Sequence, residues 1–341
     1  MNLRRAHYLV TLAKHMNYTS AAEELFIAQS ALSQQIKVFE RELGVPLTAE
    51  PDGARIRRWE PGFPLNLRAT LGLHQRGFHD PSTVFAPDGS VFRASHTPDG
   101  PGTLAVRIDD GVVVGRAWGP GAEWLLDGMP AALGEGDDPS SLPTVSSVVT
   151  SLAQRAVGLR FGRTDLVWEA LVATIMEQKV TGSEAYRGWS YLLNRYGEPA
   201  PGPVRMRVPP PRPVWREITE ADWHRSGLEP VRMRTIRSAA RIDVESKAAV
   251  LTALPGVGVW TAAHVRIRAL GDVDAVPYGD YHLPAVVGTT LIGKKVDDAG
   301  MAELLEPFAG HRYRVVRLCE LYGRRPERRG SRMSTRDYRE F

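Results

Sequence analysis

The sequence predicts an α+β multidomain protein: a helical amino-terminal module, a small antiparallel β domain, and an all-helical domain that carries the chemistry. Three observations predict it. Apolar residues recur at helical spacing over 1–47 and again after 146. Between them, 51–145 is rich in Pro and Gly, with short apolar runs separated by turn residues. At 341 residues, 43% of them hydrophobic, the chain is long enough for two or three cores. The expected boundaries are 1–50, 51–145 (β-rich domain and linker), 146–325 and a basic tail over 326–341.

In the first module, Leu9, Leu12 and Ala13 follow Leu3 at helical spacing. Ser20 and Glu23 make an S-x-x-E capping box for a second helix starting at Thr19–Ser20. A third helix runs from about Ser30 to Leu43, with Leu32, Ile36, Phe39 and Leu43 on one face. Gly44 ends it and Pro46 prevents a restart. In the β region, Pro87-Asp88-Gly89 and Asp109-Asp110-Gly111 read as hairpin turns. The stretch 134–144 reads as a linker. Helices then return at Leu166–Glu177 and about Gly182–Tyr196. A proline-rich loop covers 199–213, two helices flank Pro255–Gly258, and more helix follows Asp280.

The formal net charge is +4, which permits a nucleic-acid partner without demanding one. Ten Arg crowd Arg312–Arg339, a run that by default reads as solvated tail. The single cysteine, Cys319, excludes an internal disulfide framework and a cluster held by four cysteines. With no signal peptide and no apolar run near 18 residues, a soluble cytoplasmic, nucleoid-associated protein without membrane contact is expected. No His-x-Glu with Pro-Cys-x-x-Cys is present, which excludes zinc deaminase chemistry.

The residues Ala21-Ala22-Glu23, Ala28-Gln29-Ser30-Ala31-Leu32-Ser33-Gln34-Gln35-Ile36 and Leu43-Gly44-Val45-Pro46-Leu47 resemble the helix-turn-helix of LysR-type regulators. The resemblance implies DNA contact through Gln29, Ser33, Gln34 and Lys37 on the third helix. Such regulators usually carry Pro where Ser30 stands, and the likeness stops near Leu47, before any dimerising helix. Leu47–Trp59 is a candidate substitute wing around Pro51-Asp52-Gly53.

Three further segments point to DNA chemistry. Leu254-Pro255-Gly256-Val257-Gly258-Val259-Trp260-Thr261-Ala262 is a hairpin whose glycines let the backbone turn and approach a phosphate. An acidic turn, Val276-Pro277-Tyr278-Gly279-Asp280-Tyr281-His282-Leu283, follows with Asp280 22 residues after Gly258. Ile175-Met176-Glu177-Gln178-Lys179-Val180-Thr181 is a polar junction between two helices. Together they resemble the 3-methyladenine DNA glycosylase II group of the helix-hairpin-helix superfamily, over about 57–341. The resemblance completes the expected fold class: helix-turn-helix, small antiparallel β domain, helix-hairpin-helix glycosylase domain.

The resemblance implies that Asp280 is the catalytic carboxylate, stabilising positive charge on the deoxyribose and orienting water. By itself the residue reads equally as the cap of the next helix. Asp272 and Asp274 read as surface. Gln178, Lys179, Gly256, Val257, Gly258 and Thr261 are the expected DNA contacts. Relatives often place a Leu wedge where Lys179 stands. Trp260, Tyr278, Tyr281, His311 and Tyr313 are candidates for an aromatic base pocket. Trp260 occupies the position where lyase-type members carry a Schiff-base Lys, so simple hydrolysis is expected. The expected substrate is duplex DNA with alkylated bases of the 3-methyladenine or 7-methylguanine type, cut without a cofactor, metal or iron–sulfur cluster. The competing reading is a LysR-type transcription regulator whose glycosylase-like part senses damage without cutting. The carboxylate at Asp280 speaks against it.

Overall fold

A computed structural model describes residues 3–15, 18–43, 53–246 and 248–327. The chain divides into two compact units, Met1–Arg55 and Ile56–Phe341.

In the first unit, α1 (Leu3–His15), α2 (Tyr18–Glu24) and α3 (Gln29–Leu43) close around Tyr8, Leu12, Ala21, Ala22, Leu32 and Ile36. α2 starts at Tyr18, so Ser20 lies inside its first turn and is not the N-cap expected from the S-x-x-E pattern. The turn into α3 passes through Phe26, at φ 54° and almost fully exposed. Lys14 Nζ reaches Glu24 at 3.0 Å and ties α1 to α2. Gly44, Pro46, the Pro51–Asp52 part of the candidate wing and the tail from 328 onward lie outside the described residues.

β1 (Arg55–Trp59) falls in the stretch expected as a substitute wing but joins the β sheet, and α4 (Leu67–Leu71) was not foreseen in the sequence. β2 (Thr83–Phe85), β3 (Val91–Thr97), β4 (Gly100–Asp109) and β5 (Val112–Trp118) follow as an antiparallel meander, in the sheet order β1-β5-β4-β3-β2. Both expected hairpins form. The tighter turn uses Asp110 at φ 49° and Gly111 at φ 84°, the left-handed pair a two-residue connection requires. α5 (Ala122–Ala132) then lays Met129 against Val91, Val106 and Val113. The same cluster takes Leu67 and Leu71 of α4.

The expected linker 134–144 is mostly exposed, with an anchored point at Asp137. The Asp137 side chain is buried and forms an ion pair with Arg314. It also accepts from Phe161 N at 3.1 Å. The β region is therefore stitched to the helical part, because an unpaired buried Arg314 would be costly.

Two packed layers make up the helical part. α7 (Val167–Met176), α8 (Gly182–Tyr196), α9 (Arg212–Glu217), α10 (Glu220–Arg225) and α11 (Pro230–Ala239) bury Leu171, Ile175, Trp215, Trp223 and Ile236 together. α6 (Ser147–Arg155), α13 (Leu283–Ile292), α14 (Asp298–Leu305) and α15 (Arg312–Tyr322) enclose Val149, Val287, Met301, Val315 and Val316. α12 (Val259–Leu270) lies between them. It gives Ala262, Val265 and Ala269 to the first core and Ala263 and Ile267 to the second. Its remaining stripe, Trp260, His264 and Arg268, runs at i, i+4, i+8 along the seam. The helix expected before the hairpin is only a kinked 3₁₀ segment, Ala248–Ala253, because Val250 leaves helical geometry at φ −123°.

Candidate active site

The hairpin glycines do different work. Gly256 sits at φ +82°, and a Cβ there would meet Thr235 Oγ1 at 2.6 Å, so a side chain is both strained and obstructed. Gly258 is extended (φ −87°, ψ −178°) and has nothing within 4 Å of a built Cβ. It turns nothing; its bareness leaves the start of α12 open. α12 has no side-chain N-cap, so its first amides remain available to an anion. Val257 differs from the expectation of a DNA contact. Its side chain is buried and its N–H donates to Leu254 O at 3.0 Å, which closes the turn.

Asp280 follows Gly279, which adopts φ +87° and donates its N–H to Asp298 Oδ2 at 2.9 Å. One oxygen of Asp280 accepts from His282 N (2.8 Å) and Leu283 N (3.0 Å), the opening amides of α13. The other accepts from Trp260 Nε1 at 2.9 Å. The half-buried Asp280 therefore covers the opening amides of a helix and also holds its carboxylate against the hairpin helix. The Trp260 ring meets His264 edge-on, with centroids 4.5 Å apart. Burial and the neighbouring Arg268 push the His264 imidazole down to about 3, against the opposing pull of Glu177 and Asp280. It is a neutral ring at any working pH.

Behind this stripe is a buried ion cluster. Glu177 lies 2.8 Å from Arg268 Nη1 and 2.9 Å from Arg76 Nε. Arg268 Nη1 also donates to Thr174 Oγ1 at 2.9 Å. Burial pushes the Glu177 carboxyl up, yet Arg268 and Arg76 outweigh it and hold it at about 2. Glu177 begins the junction that leads into Gln178 and Lys179. The Gln178 amide donates to Gly256 O and to Thr261 Oγ1, both at 2.9 Å, so the junction is bonded to the hairpin. Thr261 is buried and serves as that acceptor. The Gln178 carbonyl accepts from the buried Arg232. Lys179 is held exposed at φ +49°, a left-handed conformation unusual outside glycine.

The expected aromatic pocket is only partly assembled. Trp260 touches Asp280, and Tyr281 is 84% exposed beside it in the chain. Tyr278 is half-buried against the second core. Tyr313 is 3% exposed and packs edge-on against Phe161. His311 is buried. Its Nδ1 accepts from Arg314 Nε and its Nε2 faces Ser141 Oγ, each at 3.0 Å, so it is a structural joint. His264, Glu177 and Arg268 were missed. Stepping by four from Trp260 along α12 finds His264 and Arg268, but nothing in the local sequence pairs Glu177 with Arg76.

Asp272 and Asp274 are not idle surface. Asp274 accepts from Gly310 N (2.8 Å), Arg312 N (3.0 Å) and Arg312 Nη1 (2.7 Å), bracing the start of α15. Asp272 accepts from Asp274 N and Ala275 N. Consequently Arg312 and Arg314 belong to ion pairs rather than to a basic tail, and Arg317 pairs with Glu320. Arg324 and Arg325 are exposed. In the first unit Gln29 and Gln34 face outward and Ser33 is half-exposed, while the Lys37 side chain is outside the described residues.

Residues 3–56 match the family described as bacterial regulatory helix-turn-helix protein, lysR family. A probable cat1 operon transcriptional activator of Acinetobacter lwoffii is 51% identical over 47 residues, 14% of this chain and 16% of that protein. A probable bifunctional transcriptional activator/DNA repair enzyme AlkA of Mycobacterium tuberculosis is 29% identical over 188 residues, 50% of this chain and 34% of that protein. The chain thus spans about a third or less of the length of these curated relatives. A 3-methyladenine DNA-glycosylase from Archaeoglobus fulgidus superposes with a TM-score of 0.64 at 16% identity, over 78% of this chain and 99% of that one. The chain joins a LysR-type helix-turn-helix to a DNA-glycosylase fold. Among the described residues, no helix of this composite is long and apolar enough to cross a membrane.

Proposed function

We propose that the second unit is a monofunctional DNA glycosylase that hydrolyses the N-glycosidic bond of alkylated bases in duplex DNA. The observation that carries this reading is the half-buried Asp280 carboxylate, fixed by the His282 and Leu283 amides and by the Trp260 indole. Departure of the base leaves an oxocarbenium-like sugar, and a fixed anion nearby stabilises it more than it stabilises the neutral ground state. The same carboxylate can orient the incoming water. A cationic base such as 3-methyladenine or 7-methylguanine leaves as a neutral molecule and needs little acid catalysis. A neutral His264 is compatible with this, because an imidazolium there would repel the cationic base. The bare Gly258 and the open amides of α12 would hold a phosphate, and Lys179 a second one.

Trp260 cannot form an imine, so methylated genomic DNA should release free alkylated bases and leave abasic sites. Strand breaks should appear only after alkali or heat, and borohydride should trap no protein–DNA adduct. A trapped adduct would overturn the monofunctional reading; no released base at all would overturn the enzymatic one.

The amino-terminal unit is proposed to add duplex affinity through α3, with Gln29, Ser33, Gln34 and Lys37 as its contacts. Deleting residues 1–50 should leave base release largely intact and weaken binding to undamaged DNA. A truncated chain that is folded but excises nothing would overturn this division of labour.

A further inference from the structure

Phe78 is 88% exposed at the tip of a turn. It is not on a loose loop. The Asp80 carboxylate accepts from Arg76 N (2.6 Å), Ser82 N (2.9 Å), Ser82 Oγ (2.8 Å) and Trp189 Nε1 (3.1 Å), which staples both ends of the turn to itself and to α8. Gly77 takes φ +77°, and a Cβ there would lie 2.9 Å from the Tyr186 ring. A Cβ on Gly182, the first residue of α8, would lie 3.4 Å from the same ring. One tyrosine ring is thus flanked by the turn that carries Phe78 and by the helix start that follows Lys179. Beneath them the Arg76–Glu177 ion pair joins the two segments again.

We propose that Phe78 is a DNA-stacking residue that enters the base stack beside the lesion, with Lys179 on the adjoining phosphate. This rests on the glycosylase reading of the second unit. An aromatic ring carried on an ordered surface turn gains by stacking on an unpaired base, and little backbone entropy is lost because the turn is already ordered. Lys179 cannot serve as the apolar wedge that splits a base step, because its ammonium keeps to water or phosphate. Phe78 supplies that apolar group from the neighbouring turn, and its ring suits the gap left when a nucleotide rotates out.

The test uses the full chain and a duplex with one tetrahydrofuran abasic analogue and 2-aminopurine as the adjacent base. Wild type should bind it in preference to undamaged duplex and raise the 2-aminopurine fluorescence as the stack opens. Phe78→Ala should melt as wild type does, bind about tenfold more weakly and lose the fluorescence rise. Phe78→Trp should restore both. If Phe78→Ala binds and unstacks like wild type, the proposal fails while the glycosylase reading stands. A wild-type protein that binds the abasic duplex without any fluorescence rise would likewise overturn the stacking role alone. A wild-type protein with no preference for the abasic duplex would overturn both.

Discussion

Asp280→Asn is expected to slow single-turnover base release by about 10²–10³-fold with the fold intact, a loss of roughly 3–4 kcal/mol of transition-state stabilisation. The substitution tests the anion alone. The Asn oxygen can still accept from His282 N and Leu283 N, so the cap on α13 survives. The amide NH₂ then faces Trp260 Nε1, two donors 2.9 Å apart where a donor and an acceptor stood. That conflict costs about 1 kcal/mol at a half-exposed position and is relieved by a small rotation of the indole. Binding to an abasic-analogue duplex should persist or tighten, because removing an anion near phosphates reduces repulsion. The measurement pairs a single-turnover release assay with a binding titration on one duplex. Excision at the wild-type rate would make the carboxylate a cap only. Loss of binding and fold together would make its role structural.

Much of this site could be read in the residues before any coordinates. Gly256-Val257-Gly258-Val259-Trp260 and Gly279-Asp280 are local signals: the turn, the helix start and the carboxylate are each encoded within a few positions. The hairpins at 87–89 and 109–111 were legible for the same reason, since left-handed turn positions demand particular residues. α3 and α7 were legible through their apolar stripes. What escaped was encoded by pairs far apart in the chain. Asp137 looks like a linker residue until Arg314 is placed beside it. Asp274 looks like surface until the start of α15 needs its amides covered. His311 looks like a pocket aromatic until Ser141 and Arg314 take both ring nitrogens. α4 and β1 are too short to show a period, and their identity comes from the sheet and core they join. The two hairpin glycines divide the expected work, Gly256 taking the left-handed turn and Gly258 leaving the helix start unobstructed, and sequence does not say which does which.

The largest structural effect should come from Glu177→Gln. Glu177 is the shared counter-charge of Arg268 and Arg76, and all three are largely buried. Removing one member of a buried ion cluster leaves the others uncompensated, which typically costs about 3–5 kcal/mol. The pH dependence identifies the cause. The folded carboxyl titrates at about 2 against 4.5 for the ordinary group, so its stabilisation is complete above 4.5 and is lost as pH falls through 2. A shift of that size corresponds to about 3 kcal/mol. His264 acts in the same direction. Its folded value of about 3 lies below 6.5, so the unfolded chain takes the proton first and stability falls as pH drops from 6.5 toward 3. Asp222, also held below the usual carboxylate range by Tyr196 and Arg195 against the effect of burial, is present in both proteins and cancels in the comparison. Urea unfolding followed by tryptophan fluorescence reports the second unit alone, because every tryptophan lies at or beyond Trp59. The wild type should exceed Glu177→Gln by about 3–5 kcal/mol at pH 7, and the gap should narrow steadily as pH falls from 4.5 to 2. A gap that stays constant across that range would mean the loss comes from packing or hydrogen bonding at Thr174 and not from the charge. No gap at pH 7 would mean that Arg76 and Arg268 find other partners, and the cluster would then not be what holds the Gln178–Lys179 junction against the hairpin.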